Sequence, residues 1–207
     1  MRPSGNLGRL SVFPLAGALL FPRMHLPLHI FEPRYRALVT DALARDRRIG
    51  MIQPRTPDEP VQLFEIGCVG RISEVDALDD GRFNLVLEGL ARFQIVRELD
   101  VTTPFRQVEA EFEENRLSET LGLAERSSLE MESRRFADSQ GYAVDWEAVS
   151  RLDDESLVNG IAQIAPFDTA SKQALLEADT LSERADLIVQ LMQFFGRYGE
   201  AGEATLQ

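Results

Sequence analysis

Four residue types that commonly carry chemistry are scarce in this chain of 207 residues: one cysteine, one lysine, one tryptophan and two histidines. The lone Cys68 excludes an internal disulfide and any multi-cysteine zinc site, so nothing here demands an oxidising compartment. Both histidines stand in "HLPLH", where Pro27 disfavours a helix. In a strand, His25 and His29 would lie about 13 Å apart, too far to share one ion. No metal and no cofactor is therefore expected. The lone lysine, Lys172, follows "FDTAS" and not a glycine-rich loop, which excludes a P-loop. Ser171 beside it forms no serine–lysine dyad, because adjacent helical residues point apart. Cys68 sits in an apolar strand with no histidine near it in sequence and reads as buried and inert.

Long hydrophobic runs are also missing. A transmembrane helix needs roughly 20 consecutive apolar residues, and no window supplies them. The greasiest stretch, Val12 to Phe21, contains Pro14 and Gly17 and leads to no small-x-small cleavage site before His25. These absences predict a cytoplasmic protein without membrane contact. Basic charge is in deficit as well, with a formal net charge of −12. Such a chain repels nucleic acid, and no aromatic-basic motif offsets that. Residues 1–114 carry 14 basic and 17 acidic side chains, against 8 and 17 in residues 115–207. Arg23 to Arg55 holds seven arginines against three acids, a solvated helix face or a partner-facing patch.

What is present divides at the change of hydrophobic period. Before about Asn115 the pattern is strand-like. Leu10, Val12 and Leu15 open a first strand that Pro14 bends. Leu26, Leu28 and Ile30 alternate in a second, which Pro27 assigns to an edge or bulge. Pro33 suits the first position of a helix carrying Tyr35, Leu38, Val39, Ala42 and Leu43 on one stripe. A short strand at 49–52 closes with "QPRTPDEP". Extended segments follow around Phe64 to Ile72, and Asp80-Gly81 marks a hairpin before a strand at 83–87. Gly89 marks a bend before a further strand through Phe93, Ile95 and Val96, and Val108, Ala110 and Phe112 alternate in a last one.

From Leu117 the period is 3.6. Leu117, Leu121, Ala124, Leu129 and Phe136 predict a long helix ending at Gly141. Asp145, Asp154 and Asp168 predict three helix caps, and Thr180 with Glu183 a capping box. A face through Leu181, Ala185, Ile188, Met192 and Phe195 continues, and "GEAGEATLQ" reads as a frayed tail. The expected fold class is α+β. A domain at 1–114 is a bent sheet or partly closed barrel with one early helix; one at 115–207 is a helical bundle.

"LSVFPLAGALLFPRMHLPLHIFEPRYRALVTDAL" resembles the start of the Lon protease substrate-binding domain. The likeness continues through "EIGCVGRISEV", "DGRFNLVLEGLARFQI" and "LSERADLIVQLM". The resemblance implies a β-domain of PUA-like type followed by helices, and binding of unfolded or extended polypeptide. It leaves open an adaptor role in protein quality control with a separate protease or ATPase, and it leaves open the oligomeric state. ATP-dependent proteolysis is not implied, since these residues hold neither a Walker lysine nor the peptidase serine–lysine pair. No catalytic residue is assigned. The expected polypeptide-binding residues are Leu20, Phe21 and Met24, apolar side chains in a proline-broken loop, with Phe31 and Arg34 from the family motif. Two alternatives stand beside this reading: a small-molecule binder of PUA-like type, and a hydrolase using an unrecognised carboxylate pair.

Overall fold

The computed structural model describes residues 6–55, 61–113 and 119–203, with backbone alone for 197–203. Contacts divide the chain into two units, Met1–Arg116 and Leu117–Gln207. The boundary expected after residue 114 lies outside the described residues, as do residues 56–60 of the "QPRTPDEP" loop.

The first unit runs β1 (Asn6–Pro14), β2 (His25–Ile30), α1 (Pro33–Leu43), β3 (Arg48–Ile52), β4 (Ile66–Ala77), β5 (Phe83–Glu98) and β6 (Gln107–Phe112). The strands lie in the order β2-β5-β4-β3-β1-β6, and a further β5–β6 pairing closes the last five into a ring. Among the described residues, only β1 and β3 pair in parallel. That arrangement needs a crossover, and α1 lies in the chain between them. Leu10, Val12, Ile52, Val69, Phe93, Val108 and Ala110 fill the ring as its core.

Where two strands were expected at 83–87 and from Phe93 onward, β5 is one strand of 16 residues. Its register with β4 skips Leu90 between the Gly70–Gly89 and Val69–Ala91 pairs. The bulge bends a single strand so that its first half pairs with β2 and its second with β6. Gly89 does mark the bend; it does not end the strand.

β2 pairs only with β5, which puts Pro27 on an edge strand as its missing N–H donor requires. Pro33 occupies the first turn of α1, where no N–H is needed. Gly81 has φ +81 in the β4–β5 turn, a conformation that glycine adopts freely.

The second unit contains α2 (Leu123–Ser139), α3 (Trp146–Ser150), α4 (Asp154–Ile164), α5 (Thr169–Glu177) and α6 (Leu181–Glu203). α2 begins at Leu123, so Leu121 precedes it; Leu117 is not among the described residues. Gly141 follows with φ +69, as a helix terminator should. Asp145 and Asp168 cap α3 and α5 through their side chains. The cap of α4 is Asp153 and not Asp154. The neighbouring carboxylate of Asp154 is engaged elsewhere, accepting from the Leu121 N–H at 2.9 Å and from Arg126. Thr180 and Glu183 form the reciprocal capping box, each side chain accepting from the other's N–H. α6 continues through residues 199–203 of the expected frayed tail, and 204–207 lie outside the described residues.

Two cations terminate helices in this unit. Lys172 donates from Nζ to the Gln163 carbonyl, in the last turn of α4, at 2.8 Å. Burial lowers its pKa. Buried Arg184 donates to the carbonyls of Leu175 and Ala178 at the end of α5, and to Asn159 Oδ1 at 2.8 Å. Free carbonyls at a helix C-terminus carry partial negative charge, so each cation meets a ready acceptor.

Candidate functional site: the outer face of the β2–β5–β4 arm

The loop from 15 to 24 was expected to offer apolar side chains to a partner. Leu20 and Phe21 are instead fully buried, at 0% exposure each. The reason lies in two strand glycines. A Cβ on Gly70 would come within 2.9 Å of Leu20 Cδ2, and one on Gly89 within 2.1 Å of the Phe21 carbonyl oxygen. Both strands therefore lack side chains where the loop crosses them, and Leu20 and Phe21 settle into the space.

Gln53, itself buried, fastens the same loop. Its Nε2 donates to the Leu15 and Ala18 carbonyls at 2.8 and 2.6 Å, and its Oε1 accepts from the Gly17 N–H at 3.0 Å. Sequence reasoning missed Gln53, whose only signal is a polar residue directly following the apolar "GMI". Contact of Leu20 and Phe21 with a partner is thereby corrected: both side chains are part of the buried interior.

Met24 is half-buried at the entry to β2. Its N–H donates to the Phe21 carbonyl, and its own carbonyl accepts from the Gly89 N–H at 2.8 Å. Phe31 stands at the opposite end of β2 and is 60% exposed. Seven residues of extended chain separate the two by about 23 Å, so they do not form one patch.

Arg34 lies beside Phe31 in sequence, exposed, with its guanidinium 2.9 Å from Glu32 and 4.5 Å from the Tyr35 ring centroid. Tyr35 is buried against Phe13 with ring centroids 4.2 Å apart, and its hydroxyl donates to the Pro14 carbonyl. Burial raises its pKa above the ordinary tyrosine value, opposed by the nearby Arg34 charge. Thus Phe31 and Arg34 share a corner, Met24 stands apart and Tyr35 faces inward.

The register shows what adjoins that corner. Pro27 pairs with Val86, which pairs with Glu74; His29 pairs with Asn84, which pairs with Asp76. Residues directly opposite one another share a sheet face, so these six lie together on one side of the β2–β5–β4 arm. Together with the intervening Leu28, Val75 and Leu85 they line an open depression of about 560 Å³. Pro27 and Val86 give it an apolar floor. His29 and Asn84 hold each other at 2.7 Å, and the Phe31 ring stacks on His29 at 6.2 Å between centroids.

No nucleophile–base pair is present in the depression, and among the described residues no group of His, Cys, Asp and Glu is placed to hold a metal. Cys68 is buried within the sheet. Nor is any helix of the described residues long and apolar enough to cross a membrane.

Known proteins place this architecture. Residues 9–193 match the profile of the ATP-dependent protease La (LON) substrate-binding domain. Lon protease 2 of Myxococcus xanthus is 28% identical over 211 residues, covering 93% of this chain and 25% of that protein. Lon protease 2 of Sorangium cellulosum is 36% identical over 98 residues, covering 45% of this chain and 12% of that one. The chain thus spans a quarter or less of these relatives. Among solved structures, the fold is that of a Lon N-terminal domain protein from Xanthomonas campestris, with a TM-score of 0.69, 21% identity and coverage of 88% and 98%. The N-terminal domain of a Mycobacterium avium complex Lon protease gives 0.71, 20%, and 90% and 98%. With most of its length inside one family profile, and with the strand ring and helices of that fold, the chain belongs to the Lon substrate-binding domain family.

Proposed function

We propose that this protein is a non-catalytic polypeptide-binding module, and that the outer face of the β2–β5–β4 arm, ending at Phe31, takes up extended chain. Membership of a substrate-binding family supports the class of ligand. The observation that carries the site is the 60% exposure of Phe31 beside an apolar-floored depression. An aromatic side chain left in water at the end of such a floor gives a ready anchor for an apolar residue of a client. Contact by side chains is favoured over addition of a strand to β2, because Pro27 interrupts the donors of that six-residue edge. Arg34 belongs to the rim, and Met24 supports the strand end. The same reading makes the protein a cytoplasmic accessory factor in protein quality control, delivering clients to a separate protease.

The test is binding of a reduced, carboxymethylated model protein to wild type and to Phe31→Ser. Affinity should fall severalfold in the variant, while its stability stays within about 0.5 kcal/mol of wild type, as expected for an exposed position. Phe21→Ser should instead destabilise the fold by about 3 kcal/mol or more, because it removes a fully buried aromatic side chain. Absence of binding by the wild type, or full binding by Phe31→Ser, rejects the proposal.

A further inference from the structure

The depression is not electrically neutral. Glu74 and Asp76 project onto it from β4, because they pair in register with Val86 and Asn84. Both are exposed, and among the described residues neither has a hydrogen-bond or ion-pair partner for its carboxylate. Three neighbouring carboxylates are already matched, and the Arg82 guanidinium also meets His29 Nε2 at 3.3 Å. Glu88 is held by Arg71 at 2.7 Å, Asp80 by Arg82 at 2.6 Å and Glu32 by Arg34 at 2.9 Å. The pairing of Arg82 with Asp80 leaves the segment 74–82 with three further carboxylates, Glu74, Asp76 and Asp79, and no other arginine. Two unmatched negative charges therefore border an apolar floor on a chain of net charge −12.

We infer that this face selects polypeptide segments in which Lys or Arg alternates with apolar residues, and that it rejects acidic segments. The inference rests on the polypeptide-binding reading and adds the class of client. Geometry supports the alternation. Glu74 and Asp76 are two residues apart on one strand, about 7 Å, which is also the spacing of alternate side chains in an extended client. A segment lying along β4 sets its basic side chains over both carboxylates. The floor at Pro27 and Val86 is one or two strand spacings away, about 5–10 Å, within reach of neighbouring apolar groups. A cation here relieves the mutual repulsion of Glu74 and Asp76, whereas a third carboxylate adds to it. Because both groups are exposed, the preference weakens as salt rises.

The experiment uses three short fluorescein-labelled peptides with one apolar frame. They differ at two alternate positions, which hold Lys, Gln or Glu, and each is titrated into the full chain at low and high salt. The lysine peptide should bind about fivefold tighter than the glutamine peptide at low salt, as two exposed ion pairs allow, with the glutamate peptide weakest. In the Glu74→Gln/Asp76→Asn double variant the three affinities should converge. Both substitutions preserve side-chain shape at exposed positions, so an unchanged melting temperature verifies the fold. Equal binding of the lysine and glutamine peptides, or a preference that survives in the double variant, overturns the charge selectivity and leaves the polypeptide-binding reading standing. If none of the three binds, both readings fall.

Discussion

Gln53 shows how much one buried amide can hold. Its three hydrogen bonds reach three backbone groups of the 15–18 segment, which has no regular structure of its own to satisfy them. Removing the amide takes the partners from two carbonyls and one N–H and leaves a buried space where Gln53 stood, both of which are costly. Gln53→Ala should therefore lower stability by about 2–3 kcal/mol in urea denaturation, and a loss below 0.5 kcal/mol would refute the stapling role. Arg92 is comparable on the other side of the ring: buried, it donates from Nε to Glu113 Oε2 at 2.8 Å and ties β5 to the end of β6. Neither residue announces itself in the sequence, because a polar side chain flanked by apolar ones reads equally as a strand's solvent face. Phe31 was readable as a contact residue only through the family motif; its exposure follows from sitting just past β2, after the sheet has ended.

At the scale of elements, the helix termini obey local rules. Asp168 accepts from the Ser171 N–H at 2.7 Å, and that bond, with those from the Ser171 side chain and the Ala170 backbone, holds its carboxyl below the ordinary aspartate range. A depressed folded-state pKa contributes stability above the unfolded value, about pH 4, and that contribution is lost as pH falls through the folded value. Asp168→Asn keeps a cap that does not titrate. The variant should lose less helical signal than wild type between pH 4 and lower pH, read by circular dichroism; parallel acid curves would reject the assignment. These termini were legible in advance at Asp145, Asp168 and Thr180 because an N-cap reaches only two or three residues along the chain. Asp154 misled for the same reason. Two adjacent aspartates both qualify locally, and only the Leu121 N–H and Arg126 claimed the second one. The bulge at Leu90 turns one 16-residue β5 into what resembles two strands in sequence, since a bulge interrupts alternation without ending the pairing.

At the scale of the molecule, each unit has its own means of closure. The barrel closes where β5 meets β6, which lets one strand serve β2, β4 and β6. In the helical unit, Arg184 of α6 binds the end of α5 and Asn159 of α4, joining three helices through one guanidinium. Arg184→Ala should destabilise this unit by about 3 kcal/mol, because it removes a buried guanidinium and its hydrogen bonds to Leu175, Ala178 and Asn159. Thermal unfolding followed at Trp146, the one tryptophan, reads that unit directly, and an unchanged midpoint would exclude the clamp.

The sequence alone determined the element types, that β2 is an edge or bulged strand, the β4–β5 turn, the helix-terminal signals at Pro33, Gly141, Asp145, Asp168 and Thr180, and the family. All of these depend on neighbours a few residues away, or on a motif long enough to recognise. Tertiary structure alone decided that Leu20 and Phe21 lie inside and that Pro27, Val86, Glu74 and Asp76 share a face with Phe31 at its end. Burial of an apolar side chain depends on what faces it from distant strands, here the bare backbone at Gly70 and Gly89. A shared face depends on the register between strands that the linear order keeps tens of residues apart.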